Sequence, residues 1–175
     1  MSANRIAALA GAYSLAMILG TQFFQYVVGV APCEMCYWQR WPLEAAIVIC
    51  FGGVGLFAAG VIGRQAIVAI AWIALVLIAA SGAIGAWQAG VEWNIFPGPT
   101  SCTGERYVVT GAVDLSHVAP VVRCDVVAWK LFGISLAGYN FLCSGGVAVL
   151  GALLLLKKIK LPKLPIAVLD KWIRE

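Results

Sequence analysis

Four long apolar runs dictate what this chain can become. Ile6 to Val30 carries no charged residue. As a helix it rises about 37 Å, enough to cross a hydrocarbon core of about 30 Å with some tilt. A second run extends from about Pro42 to Ile62, with Glu44 near its outer end. A third covers about Gln65 to Ala89, and a fourth Leu131 to Leu156, both without charge. The first run lacks the short core and small-residue cleavage site of a signal peptide, so it reads as a retained span. Only 11% of residues are charged, where a soluble domain carries about a quarter. The expected fold is an all-α membrane protein, a four-helix bundle forming one domain over residues 1–175.

The links between the runs are unequal. Residues 31–41 form a short loop, Gly63-Arg64 a tight turn, and residues 90–130 a long polar loop. Lys157, Lys158, Lys160, Lys163, Lys171 and Arg174 all fall in the tail, residues 157–175. That placement explains the net charge of +4 by the positive-inside rule and argues against a nucleic-acid partner. Arg5, Arg64 and the tail share one face, which is expected to be cytoplasmic, with both termini there. The two loops then face the periplasm or its equivalent, where disulfides persist.

Ser81, Gly85 and Ala89, and likewise Gly82 and Ala86, recur at four-residue spacing, and Gly52, Gly53 and Gly55 cluster in the second run. Small residues in such stripes let helix backbones approach closely in lipid. Tyr37, Trp38, Trp41, Trp87, Trp93 and Trp129 gather at the outer boundary, as an interfacial belt that could also wall a pocket for a flat ring. In the tail, Ile166, Leu169, Trp172 and Ile173 suit a short helix lying on the inner surface.

The cysteines carry the chemistry. Cys33 and Cys36 are three apart, a spacing that permits a cycle between dithiol and disulfide. The same spacing serves zinc sites, for which Cys102 and Cys124 could supply two further ligands. An oxidising compartment disfavours four free thiolates. A Cys102–Cys124 bond could instead staple the long loop or take part in redox chemistry. A Cys33–Cys36 bond closes almost no loop and contributes little chain-entropy stabilisation, so reactivity explains it better.

Arg40 stands four residues beyond Cys36 at the membrane boundary. Its charge favours a thiolate nearby and could polarise a carbonyl oxygen of a bound electrophile. The bland alternative is an arginine reaching the headgroups. Glu34 acts on the thiols in the opposite sense. Cys50 and Cys143 fall deep in the second and fourth runs and are expected to be buried, inert packing residues. His117, the only histidine, reads as a surface loop residue.

Pro32-Cys33-Glu34-Met35-Cys36-Tyr37-Trp38-Gln39-Arg40, the loop pair Cys102 and Cys124, and Trp129-Lys130-Leu131-Phe132-Gly133-Ile134-Ser135-Leu136-Ala137 together resemble the disulfide-bond formation protein B (DsbB) family. Its members are quinone-dependent thiol oxidases of the bacterial inner membrane. The resemblance covers nearly the whole chain. It implies a four-helix bundle whose catalytic residues are Cys33, Cys36, Cys102 and Cys124. Cys102–Cys124 would accept electrons from a reduced periplasmic DsbA-like protein, with Cys102 the sulfur attacked. Cys33–Cys36 would reoxidise the loop pair and pass the electrons to the membrane quinone pool, ubiquinone or menaquinone. Cys36 would face the quinone and Arg40 would help bind it. Two departures stand out: many relatives carry Glu where Gln39 stands, and some a histidine near Trp87-Gln88-Ala89-Gly90, so no histidine is assigned to the quinone.

The arrangement is chemically coherent. A DsbA-like protein is a strong oxidant at about −120 mV, and reoxidising it needs a better acceptor or continual removal of electrons. The expected function is therefore reoxidation of such a donor at the expense of quinone. The alternatives are a vitamin-K-epoxide-reductase-like oxidoreductase, whose dithiol belongs at a later span, and a non-enzymatic metal-binding or scaffold protein.

Overall fold

The computed structural model describes residues 2–103 and 122–156. His117 and the basic tail, with its expected surface helix, lie outside the described residues. Four helices run α1 Ala3–Tyr26, α2 Glu34–Ala58, α3 Arg64–Glu92 and α4 Leu136–Leu155. A two-residue ladder, β1 Lys130–Leu131 with β2 Ile134–Ser135, precedes α4. All four helices are long and apolar enough to cross a membrane. Their outer faces expose Leu19, Phe23, Val48, Val76 and Val149, a surface suited to lipid rather than water.

The helix ends differ from the apolar runs, α2 stopping at Ala58 and α3 running on to Glu92, and local chemistry explains three of the differences. α1 stops at Tyr26, short of Val30. Val27 and Val28 both donate to the Phe23 carbonyl, and Gly29 takes a left-handed φ of 81°. That glycine ends the helix because only it adopts this backbone without a Cβ penalty. α2 begins at Glu34, well before Pro42. The Cys33 sulfur caps it by accepting from the Cys36 N–H at 3.3 Å. Glu34 in the first turn complements the helix dipole. Pro42 lies inside the helix, where it removes one backbone donor that the packed neighbours tolerate. The dithiol thus belongs to the start of a helix and not to a free loop. α4 begins at Leu136 because Leu131 to Ser135 turn back on Lys130 as a hairpin. Phe132 and Gly133 form its two-residue tip at φ 50° and 80°, the positive pair of a type I′ turn. Ser135 then caps α4 by accepting from the Gly138 N–H at 3.2 Å.

α3 is the central helix, packing most extensively on α4 and α2; α1 packs on α2, whereas α1 and α4 scarcely touch. The small-residue stripe of α3 makes the α3–α4 contact. Ser81, Gly82, Gly85 and Ala89 are all buried. A Cβ on Gly85 would stand 2.8 Å from the Ala137 carbonyl oxygen, and one on Gly82 3.1 Å from the Ser144 Cβ. In α2 only Gly53 is tight, against Ile70; Gly52 and Gly55 face open space and make no helix contact. The up-and-down path puts Arg5 and Arg64 at one end of the bundle, and Cys33, Glu92 and the hairpin at the other.

Candidate redox site

Both cysteine pairs meet at the end of the bundle away from Arg5 and Arg64. The N-cap and first turn of α2 present Cys33 and Cys36, whose sulfurs stand 2.8 Å apart. Cys102 and Cys124 are joined as a disulfide with their Cα atoms 5.4 Å apart. A tight turn positions Cys102: its N–H and that of Thr103 both donate to the Pro99 carbonyl. The returning strand is aligned by the Cys124 N–H donating to the Cys102 carbonyl at 3.0 Å. Cys33, Cys102 and Cys124 are buried in one apolar cluster with Met35 and Val91, flanked by Cys36, Trp38 and Val122. Two of the four thiols that a zinc site would need are therefore bonded to each other. Next to Cys124, Arg123 grips Asp125 with Nε at 2.9 Å from Oδ1. That hydrogen bond holds the Asp125 carboxyl below the usual carboxylate range.

The hydrogen bond between the Cys33 and Cys36 sulfurs, and then burial, push the Cys33 thiol well above the ordinary cysteine range. Gln88 of α3, a residue that spacing alone did not single out, reaches the pair: its Nε2 lies 3.4 Å from the Cys33 sulfur and 3.7 Å from that of Cys36. Gln39 backs Gln88 at 2.5 Å and is itself held by Asn140 at 2.8 Å.

The gap between α1 and α4 opens into a cavity of about 390 Å³, predominantly apolar, with Met17, Phe24, Cys36, Arg40, Leu43 and Trp129 on its wall. Its size is that of a small-molecule site. Arg40 is 8% exposed and turned into the bundle. Its Nη1 donates to Gln25 Oε1 at 2.7 Å, and its guanidinium lies 5.2 Å from the centre of the Tyr37 ring. Its buried Nε has no partner among the described residues. A guanidinium bordering an apolar cavity fits a flat ring carrying a carbonyl oxygen.

Sequence comparison decides the family. The family model described as disulfide bond formation protein DsbB matches residues 3–154. The chain belongs to the DsbB family. It is 32% identical to disulfide bond formation protein B of Acidovorax sp. (strain JS42), over 88% of each chain. The protein of the same name in Verminephrobacter eiseniae is 30% identical over 87% of this chain and 84% of the relative. That of Polaromonas sp. (strain JS666) is 28% identical over 87% and 90%. No solved structure matches the chain. Membership in the DsbB family makes the four apolar helices those of a multi-pass membrane protein of disulfide bond formation, with the thiol-oxidising chemistry that this implies.

Within this DsbB-family bundle the sequence-derived site residues converge: Cys33, Cys36 and Arg40 border the cavity, and Cys102–Cys124 packs behind Cys33. The two remaining cysteines part company. Cys50 is fully buried against α1, as expected. Cys143 is exposed on α4 and borders the cavity. The expectation of burial fails because α1 leaves that face of α4 uncovered. Of the boundary aromatics, Trp41 and Trp93 are exposed, while Trp129 packs edge-on to Phe24 at 4.8 Å and so walls the cavity.

Proposed function

We propose that this protein is a dithiol:quinone oxidoreductase that reoxidises a periplasmic DsbA-like disulfide donor and delivers the electrons to a respiratory quinone, ubiquinone or menaquinone. The observation that carries the reading is the shared cluster: Cys102–Cys124 and Cys33–Cys36 pack together beside a cavity bordered by Arg40.

The order of events is the one the family resemblance implies. A thiolate of the reduced donor attacks Cys102, breaking its bond to Cys124 and forming a mixed disulfide; the donor's second thiolate then attacks its own partner sulfur, breaking the bond to Cys102, so that the donor departs as a disulfide and Cys102 and Cys124 are left as thiols. The freed loop thiols pass the same two electrons to a Cys33–Cys36 disulfide by a second exchange, which leaves the pair as the dithiol. A quinone in the cavity supplies the terminal two-electron, two-proton acceptor. Cys33 and Cys36 both border the cavity, and Cys36 is the sulfur that the resemblance turns to the quinone. Arg40 supplies fixed positive charge where negative charge grows on a ring oxygen. Leu43, Phe24 and Met17 exclude water from that contact.

The positive-inside rule supports a topology with the Arg5 and Arg64 end in the cytoplasm. The cysteines then open to the periplasm from the bacterial inner membrane, where a lipid-dissolved quinone can enter between α1 and α4.

The test is anaerobic mixing of the purified protein with a reduced DsbA-like protein and a soluble quinone, followed by quinone absorbance. One quinone should be reduced for each donor disulfide formed. Donor oxidation without quinone loss, or no donor oxidation at all, would overturn the reading.

A further inference from the structure

The amide of Gln88 has only one orientation open to it, and that orientation bears on the dithiol. Side-chain amide orientation is set by what the partners can donate or accept. The Ser81 carbonyl can only accept, and the Asn140 terminus 3.1 Å from it must be Nδ2. That same Nδ2 lies 2.8 Å from Gln39, which must therefore present Oε1. The other Gln39 atom faces the Met35 carbonyl at 3.3 Å and is the nitrogen. It meets Gln88 at 2.5 Å, which makes the Gln88 atom there the oxygen. Gln88 is left with Nε2 against the Cys33 and Cys36 sulfurs at 3.4 and 3.7 Å and against Glu92 Oε1 at 3.5 Å, while its Oε1 can accept from the Cys36 thiol at 4.0 Å. At the far end, Asn140 Oδ1 accepts from the Ser144 hydroxyl at 2.7 Å. That uses the only hydrogen of Ser144, so the Tyr13 hydroxyl donates to Ser144 at 2.8 Å. Two backbone carbonyls thus fix a run of hydrogen bonds, from α1 through α4 and α2 to α3, in which every donor points toward the dithiol.

We propose that Tyr13, Ser144, Asn140, Gln39 and Gln88 form an oriented hydrogen-bond chain that ends on Cys33 and Cys36 and stabilises negative charge on their sulfurs. Gln88 is the group in contact with the reacting atoms; Gln39 and Asn140 are positioning residues that act through it. The proposal rests on the reading of Cys33–Cys36 as the redox pair.

Donation to a thiolate favours the charged form. Aligned hydrogen bonds polarise one another, by about 10–30% per bond. The charged groups around the pair do not do the same work. Arg40 on α2 adds positive charge, while Glu34 on α2 and Glu92 on α3 oppose it. Arg123 and Asp125 from the loop pair with each other. α1 carries its charge at Arg5, near the opposite end, and α4 carries none. Because no amide in the chain titrates, this donation operates alike at every physiological pH.

The experiment is pH-resolved alkylation of the fully reduced full-length protein in detergent, with iodoacetamide and mass-spectrometric readout at each cysteine. Gln88→Leu should move the Cys36 midpoint up by about one pH unit, a tenfold loss of thiolate at fixed pH, and leave the Cys102 midpoint in place. Asn140→Leu should move Cys36 the same way by less. The double variant should move it no further than Gln88→Leu alone, because the chain is already cut. Gln88→Glu keeps the shape and Gln39's partner but removes the donor, and should act in the same direction if the leucine variant does not fold. An unmoved Cys36 midpoint in both Gln88 variants, or full additivity of Asn140→Leu with Gln88→Leu, overturns the proposal. Quinone reduction is measured separately in the same preparations. Its absence from the parent protein would instead refute the redox assignment.

Discussion

Replacing Arg40 separates its structural from its chemical contribution. Among the described residues Arg40 makes one charge-assisted hydrogen bond, to Gln25, and lies over the Tyr37 ring. A bond of that kind contributes about 1.5–3 kcal/mol and an exposed cation–π contact about 0.5–1. Gln25 is only half-buried, so water replaces much of the lost bond, and Arg40→Ala should cost folding about 1–2 kcal/mol. The chemical cost is larger. Arg40 borders the cavity with its fixed charge, and removing one preorganised charge-stabilising group from developing negative charge costs about 3 kcal/mol, roughly a hundredfold in rate. Arg40→Lys retains the charge but not the planar fork. One ammonium must then serve both Gln25 and the cavity. This variant should lose about tenfold, mostly as a raised apparent KM for quinone. The assay is steady-state turnover with quinone varied at saturating reduced donor, then the reverse, on protein whose folded fraction has been matched. Donor kinetics should be unchanged, because Cys102 makes no use of Arg40. Wild-type quinone kinetics in folded Arg40→Ala would refute the reasoning and leave Arg40 a structural residue.

The two cysteine pairs should fail differently: Cys102→Ser should abolish donor oxidation while chemically reduced Cys33–Cys36 still reduces quinone, and Cys36→Ser should trap a donor mixed disulfide on non-reducing gels without quinone loss. Gly85→Val should destabilise the bundle by about 1–3 kcal/mol in a detergent unfolding titration, since its Cβ would already stand 2.8 Å from the Ala137 carbonyl oxygen. Gly52→Ala, with open space around it, should be neutral or stabilising by up to about 1 kcal/mol. Cys50→Ala and Cys143→Ala should keep turnover per folded molecule, although Cys143→Ala removes a thiol that borders the cavity and should therefore protect the protein from quinone-like electrophiles in a labelling assay.

Periodicity and charge sufficed for the bundle, because uncharged runs of that length have few other fates. Helix ends were harder. Pro42 and Arg40 looked like a boundary, yet a cysteine sulfur supplied the cap eight residues earlier than a proline-based rule would place it. Leu131 to Ser135 looked like the start of a span because its hairpin is as apolar as the helix it precedes; the clue was Phe132-Gly133, a weak turn pair with a bulky residue at positive φ. Among the site residues, cysteine spacing and Arg40 were legible one by one. Gln88 and Asn140 were not. Each is an ordinary amide within an apolar run, and only tertiary packing brings Asn140 of α4 to Gln39 of α2, and Gln39 to Gln88 of α3. Cys143 was misjudged because a linear reading cannot tell which side of a helix its neighbours leave bare.

The common cluster of Met35, Val91 and both cysteine pairs has a kinetic consequence. Exchange between two sulfur pairs on one chain is a first-order event, with an effective concentration of about millimolar even for a loose tether. Packing the pairs against one another raises that figure further. Under the proposed function, dilution of the protein in the bilayer would leave this internal step untouched and slow only the encounters at either end, with the soluble donor and with the lipid-borne acceptor. Flux through a protein working in that way would be governed by how often its two outside partners arrive, and the two arrivals need not coincide.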